Sequence, residues 1–211
     1  MKTNELIDLL VRDLRPLPSF TYVLLVASVC GTSIAAMAFA TMIGARIDMG
    51  VALSDEWFIY KILIMLSLVA TTAIILDRTG RPDVLLGGRK WCLALPFVLT
   101  LAGAIAEMCI TTTDAWIARA IGRNGLKCLV LIPFLSLAPL GCLLHGFRLA
   151  APSHPGIAGS AAGLMAGGIA ASLYALHCDD DSPLFILIWY MPAIAFVVLI
   201  GYLLGNRLLR W

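Results

Sequence analysis

Six apolar blocks of roughly twenty residues run along this chain, parted by short polar stretches, and that is the length an α-helix needs to cross a hydrocarbon core about 30 Å thick. They fall at 21–45, 58–76, 91–110, 127–146, 156–177 and 184–204. Each is predicted as a helix, because backbone polar groups in lipid must be satisfied within the segment or in a closed barrel, and no barrel-like alternation runs through the sequence. The first block is expected to stay in the chain: mostly polar residues precede it, its apolar run is too long for a signal peptide, and no small-residue cleavage site closes it. The expected fold class is all-α, a polytopic membrane protein with six transmembrane helices in residues 19–211, preceded by a short cytoplasmic amphipathic helix in residues 1–18.

That leading segment has its own period. Thr3 can cap a helix, and Pro16 ends it. At about 100° per residue, Leu6, Leu10, Leu14 and Leu17 share a narrow stripe flanked by Ile7, Leu9 and Val11, while Glu5, Asp8, Arg12 and Arg15 lie opposite. Helices that rest on anionic lipid typically carry a basic polar face. Here Lys2, Arg12 and Arg15 are balanced by Glu5, Asp8 and Asp13, so the stripe of Leu6, Ile7, Leu10, Leu14 and Leu17 is expected to fill a protein groove instead.

Composition agrees with the pattern. Of 211 residues, 61% are hydrophobic and 13% charged, whereas soluble domains are about half apolar and a quarter charged. The lipid bilayer is thus one expected partner. Orientation follows from Lys and Arg, which short loops retain on the cytoplasmic side. With the N-terminus inside, ten of the fifteen bases fall on cytoplasmic segments, among them Arg78, Arg81, Arg148, Arg207 and Arg210. Arg46, Arg119 and Arg123 fall outside, and Lys61 and Lys127, near helix ends on that side, are expected to snorkel to the interface. Both termini are therefore expected in the cytoplasm.

This topology sorts the cysteines. Cys109, Cys128 and Cys178 belong to the outer face, Cys92 and Cys142 lie toward the inner one, and Cys30 sits within the first helix. In a bacterium the outer face is the oxidising periplasm, where thiols meet oxidants and thiophilic metals first. Cys128 opens the fourth helix and Cys178 ends the fifth, level in depth though far apart in sequence. Lys127 is expected to favour the Cys128 thiolate, while Asp179, Asp180 and Asp181 disfavour that of Cys178, making Cys128 the more reactive. His177 could join Cys178 as a soft-metal ligand pair, but adjacent helical residues point about 100° apart, so a histidine satisfied by water is the preferred reading. The three aspartates read as a solvated turn before Pro183, and the other four cysteines as packing residues.

Gly159, Gly163 and Gly167 recur every four residues, lining one face of the fifth helix where a neighbouring backbone can approach closely. Gly201 and Gly205 repeat the spacing in the sixth. The two helices are expected to pack on each other or on a second copy of the chain, which leaves a homodimer open. No ionisable residue lies at the bilayer centre, as a transporter usually requires. Nor is there H-E-x-x-H, G-x-S-x-G, a phosphate loop or C-x-x-C, so neither enzyme chemistry nor a cofactor is expected.

Several stretches together resemble the NrsF family, negative regulators of sigma F, which are six-helix inner-membrane anti-sigma factors of Gram-negative bacteria. They are MKTNELIDLL with Pro16, Pro133 with Pro139, Ala151-Pro152 with Pro155, AGSAAGLMAGG, YALHC before Asp181-Ser182-Pro183, Trp189-Tyr190, and Leu209-Arg210-Trp211. The resemblance implies a protein that holds an extracytoplasmic-function sigma factor at the cytoplasmic face, without touching nucleic acid itself. It also implies release of that factor when periplasmic cysteines are oxidised or capture a thiophilic metal. By position, the family's sensing cysteines are similar to Cys128 and Cys178. The aspartate run departs from a single acidic residue in the family. A small transporter or channel, or a thiol oxidoreductase, are the competing classes, and both need features this chain lacks.

Overall fold

In the computed structural model the described residues are 19–79, 87–149 and 152–210. The leading amphipathic segment, with Leu6, Ile7, Leu10, Leu14 and Leu17, lies outside them. The described residues are helical, with no strand among them. Six helices are long and apolar enough to cross a membrane. They are α1 (Phe20–Met42), α3 (Glu56–Thr79), α4 (Ala94–Ile110), α6 (Gly125–Phe147), α7 (Pro155–Ala175) and α8 (Pro183–Leu208). Two shorter ones, α2 (Met49–Ala52) and α5 (Thr113–Ile121), sit at the end of the bundle that carries Cys178. Sequence periodicity missed both, since one has four residues and the other nine.

Local chemistry sets the boundaries. Ser19 accepts from the Tyr22 N–H at 3.3 Å to start α1. Ser182 accepts from the Phe185 N–H ahead of Pro183, the first residue of α8. Between α5 and α6, Gly122 adopts φ 58° and ψ −163°, a conformation reserved almost wholly for glycine. A Cβ there would lie 2.5 Å from the Phe185 ring. Within α8, Ile186–Tyr190 forms a π-helical turn.

The helix α7 is the centre. Of its apolar window 67% is buried inside the protein, against 22% for α1, so α7 is walled by protein while α1 turns side chains such as Leu25, Val29 and Met37 outward. Its neighbours are α8, α6 and α3, and α1 packs chiefly on α6. The glycines set the α7–α8 seam. A Cβ on Gly159 would lie 2.1 Å from the Gly201 carbonyl oxygen, one on Gly163 would lie 2.7 Å from that of Val197, and Gly167 abuts Ile194. The two glycine series therefore face each other within one chain.

Candidate functional site

Cys128 lies in the first turn of α6, its N–H bonded to the Asn124 carbonyl at 3.0 Å. Cys178 lies just past α7, its N–H bonded to the Tyr174 carbonyl at 3.1 Å. Both are 0% exposed and share one apolar cluster with Ile132, Phe185, Ile186 and Ala193. Their side chains are neighbours within that cluster. Tyr174 and Tyr190 cover them, both 0% exposed, with ring centroids 6.0 Å apart. All the cysteines are free thiols.

The cation beside the pair is Lys61, and its placement corrects the expectation of snorkelling. It is 0% exposed, donates to the Cys178 carbonyl at 2.8 Å and the Asp180 carbonyl at 3.4 Å, and pairs with Asp181. Lys127 instead donates to Asn124 Oδ1 at 3.1 Å from an exposed position. The acidity of Cys178 follows. The hydrogen bond from Cys128 and the charge of Lys61 hold its thiol below the ordinary range, against the opposing pull of burial and of Asp180.

The three aspartates are not a solvated turn. Asp180 accepts from the Arg123 N–H at 3.0 Å, the Asn124 N–H at 2.9 Å and Asn124 Nδ2 at 3.1 Å, placing an anion at the start of α6. Asp179 accepts from Asn124 Nδ2 as well. Asp181 joins Lys61 to Arg46, whose Nη1 lies 2.8 Å from its Oδ2. The loop carrying Cys178 is thus fastened to the helix carrying Cys128.

It is fastened equally to the end of α1. His177 Nδ1 donates to the Gly44 carbonyl at 2.9 Å, and the Arg46 N–H donates to the Leu176 carbonyl at 3.0 Å. His177 is therefore turned to backbone rather than to water, and no group of three His, Cys, Asp or Glu residues suited to a metal ion occurs among the described residues. Arg46 also forms a two-pronged pair with Asp48, at 2.7 and 2.8 Å, which lowers that carboxyl to about 2. On the far side, Glu107 is 1% exposed and accepts from Ser182 Oγ at 2.6 Å, the Leu184 N–H at 3.1 Å and Arg119 Nη1 at 3.0 Å. A polar cavity of about 440 Å³, lined by Glu107, Arg119, Arg123 and the three aspartates, opens over this loop.

Residues 10–211 match the family described as negative regulator of sigma F, NrsF. The chain belongs to the NrsF family. It is 31% identical over 215 residues to the probable anti-sigma-F factor NrsF of Azospira oryzae, and 32% identical over 217 residues to the anti-sigma-F factor NrsF of Caulobacter vibrioides. Both alignments cover 100% of each chain. No solved structure matches. The relatives are named as anti-sigma factors, which are regulators rather than enzymes.

In this NrsF chain the bundle brings Cys128 and Cys178 together, and sets His177 and Lys127 to other tasks. Sequence reasoning overlooked Tyr174, Tyr190 and Arg46, and misjudged Lys61. One signal was available: Tyr174 stands four residues before Cys178, and its carbonyl takes the Cys178 N–H at the end of α7.

Proposed function

We propose that this protein is a multi-pass anti-sigma factor of a bacterial inner membrane, with both termini in the cytoplasm. It holds a sigma factor of the extracytoplasmic-function class through the leucine stripe of residues 1–18. Oxidation of Cys128 and Cys178 to a disulfide by a small periplasmic oxidant releases it. The observation that carries this reading is the placement of both thiols, wholly buried, in one cluster between the start of α6 and the end of α7. A disulfide is favoured over metal capture because the pair has no third ligand of the usual kind beside it among the described residues.

Transmission to the cytoplasmic side is supported by α1. Its far end hangs on Leu176, His177 and Asp181, it packs along α6 where a Cβ on Gly31 would lie 2.5 Å from Pro139 Cα, and its start adjoins residues 1–18. Drawing the sulfurs together moves α6 against the α7 loop, and α1 touches both. A disulfide contributes about 2–4 kcal/mol, and each 1.4 kcal/mol is a tenfold change in population, so a preference of about twenty-five-fold for the holding state is brought to balance or past it.

The deciding experiment replaces Cys128 and Cys178 together by serine and measures sigma-dependent transcription under hydrogen peroxide and under cadmium. Loss of both responses is expected of the sensor. Full induction in the double variant overturns the assignment. In the parent protein, induction by cadmium with no disulfide formed would make metal capture the trigger.

A further inference from the structure

The helix α5 is held from one side only. Ala115, Ala118 and Arg119 line the polar cavity over the thiol loop, and Arg119 Nη1 lies 3.0 Å from Glu107 Oε1. At about 100° per residue, Trp116, Ile117, Ala120 and Ile121 fall on the opposite side, with Asp114 at its border. No residue of α5 is buried, and Ile117 is 70% exposed and Ile121 55%. The outer face is therefore apolar, and nothing among the described residues covers it.

What covers it follows from where the chain allows α5 to be. Two residues, Thr111 and Thr112, part it from the end of α4, and three, Gly122, Arg123 and Asn124, part it from the start of α6. At up to about 3.5 Å per residue, such links reach roughly 7–10 Å. Both α4 and α6 are long and apolar enough to cross a membrane, so α5 lies level with the ends of two spans and cannot stand clear of a lipid boundary there. Exposed apolar surface continues on either side of it, at Ile110 in the last turn of α4 and Leu126 in the first turn of α6. Trp116 suits that depth, because its Nε1–H is already satisfied by the Thr111 carbonyl at 3.2 Å and its ring is free to meet the boundary.

The inner side ties α5 to the loop of Cys178. The link that follows it gives the Arg123 and Asn124 N–H groups to Asp180, at 3.0 and 2.9 Å. Glu107 joins Arg119 to Ser182 and to the Leu184 N–H, and Trp189 Nε1 donates to the Ala120 carbonyl at 3.0 Å. We propose that α5 is seated in the lipid–water interface at the end of the bundle that carries Cys178, with Trp116, Ile117 and Ile121 in the headgroup–acyl boundary, and that this seat holds the thiol loop in place. It rests on the reading of the chain as membrane-spanning. Interfacial helices bury an apolar face about 5–10 Å into that boundary, a depth within the reach of the two links.

The test puts a nitroxide on the full chain in vesicles of phosphatidylethanolamine and phosphatidylglycerol. Its collisions with oxygen, which concentrates in lipid, are compared with those of a water-soluble nickel chelate. Ile117→Cys, Ala118→Cys and Val130→Cys are made singly in a chain whose accessible Cys30, Cys92, Cys109 and Cys142 are replaced by alanine, and that chain without a new cysteine supplies the background. The label of Ile117→Cys is expected to favour oxygen several-fold more than that of Ala118→Cys, on the cavity side, and to approach that of Val130→Cys, an exposed position within α6. Equal access of nickel to the Ile117 and Ala118 labels overturns the seat. So does spin–spin broadening at Ile117 that vanishes on dilution with unlabelled chain, which would put a second copy on that face. Nickel access at Val130 would sink the membrane reading as well, so the two failures are distinguishable. With all native thiols kept, Trp116→Phe is expected to lower the fraction of tryptophan emission quenched by lipid brominated near its carbonyls, and an unchanged fraction counts against the seat. Ile117→Glu is expected to speed labelling of Cys178 by N-ethylmaleimide several-fold, while Ile117→Leu leaves it at the parental rate. A parental rate in Ile117→Glu overturns the hold on the loop.

Discussion

Arg46 and Asp181 are 135 residues apart in sequence, yet Nη1 and Oδ2 meet at 2.8 Å. The same carboxylate takes the ammonium of Lys61, which is wholly buried. Asp181→Asn strips Lys61 of its counter-charge, and breaking a buried pair from one side costs about 3–5 kcal/mol. Thermal unfolding in detergent should fall sharply for Asp181→Asn and for Lys61→Met. The double variant Lys61→Met with Asp181→Leu should be less destabilised than the two singles combined, since it leaves no orphan charge. Strict additivity would show that the residues do not act as a pair.

Glycine substitutions should divide by location. Gly159→Ala sets a methyl 2.1 Å from the Gly201 carbonyl oxygen, backbone that cannot step aside, so α7 and α8 must separate and folded yield should drop. Gly141→Ala on α6 meets nothing within 4 Å and should hold or raise stability, by up to about 1 kcal/mol. Equal behaviour of the two would contradict a seam built on close backbone approach.

Removing residues 1–18 should free the sigma factor. The truncated chain, still inserted, is expected to lose co-purification with it and to leave its regulon constitutively on. Retained co-purification would move the binding surface elsewhere, the basic stretch 77–90 being the next candidate.

The Arg46 and Asp48 pair sets a pH window. Asp48 titrates at about 2 rather than near 3.8, because Arg46 hydrogen-bonds its ionised form. A depressed carboxylate contributes while the pH stays above its ordinary value, and that contribution is lost as pH falls through about 2. The pair should therefore survive mild acid unchanged. Arg46→Gln should raise the Asp48 midpoint toward 3.8, read by carboxyl carbon NMR.

The six long helices were legible because lipid imposes a length and a composition that a single segment displays by itself. Gly159, Gly163 and Gly167 were legible too, as a face, although whether α8 or a second chain would occupy it was open until Gly201 and Gly205 were seen opposite. What stayed hidden was pairing at long range. Lys61 near a helix end looks like an interfacial lysine until Asp181, 120 positions later, is found beside it, and Asp179, Asp180 and Asp181 look solvated until Asn124 and Arg46 arrive. Adjacency in sequence set Lys127 beside the thiols, whereas in space the ammonium that reaches the Cys178 carbonyl is that of Lys61.

The glycine seam has a mechanical consequence. Backbone packed on backbone along Gly159, Gly163, Gly201 and Gly205 leaves no side chain between α7 and α8 to compress or rotate, so the two travel as one rigid jaw. The opposite jaw is α6, in which Pro133 and Pro139 each remove a rung from the helical ladder. Under the proposed oxidation, closing Cys128 onto Cys178 would bend the compliant side toward the stiff one, and α1, seated on α6 through Gly31, would ride with the jaw that moves.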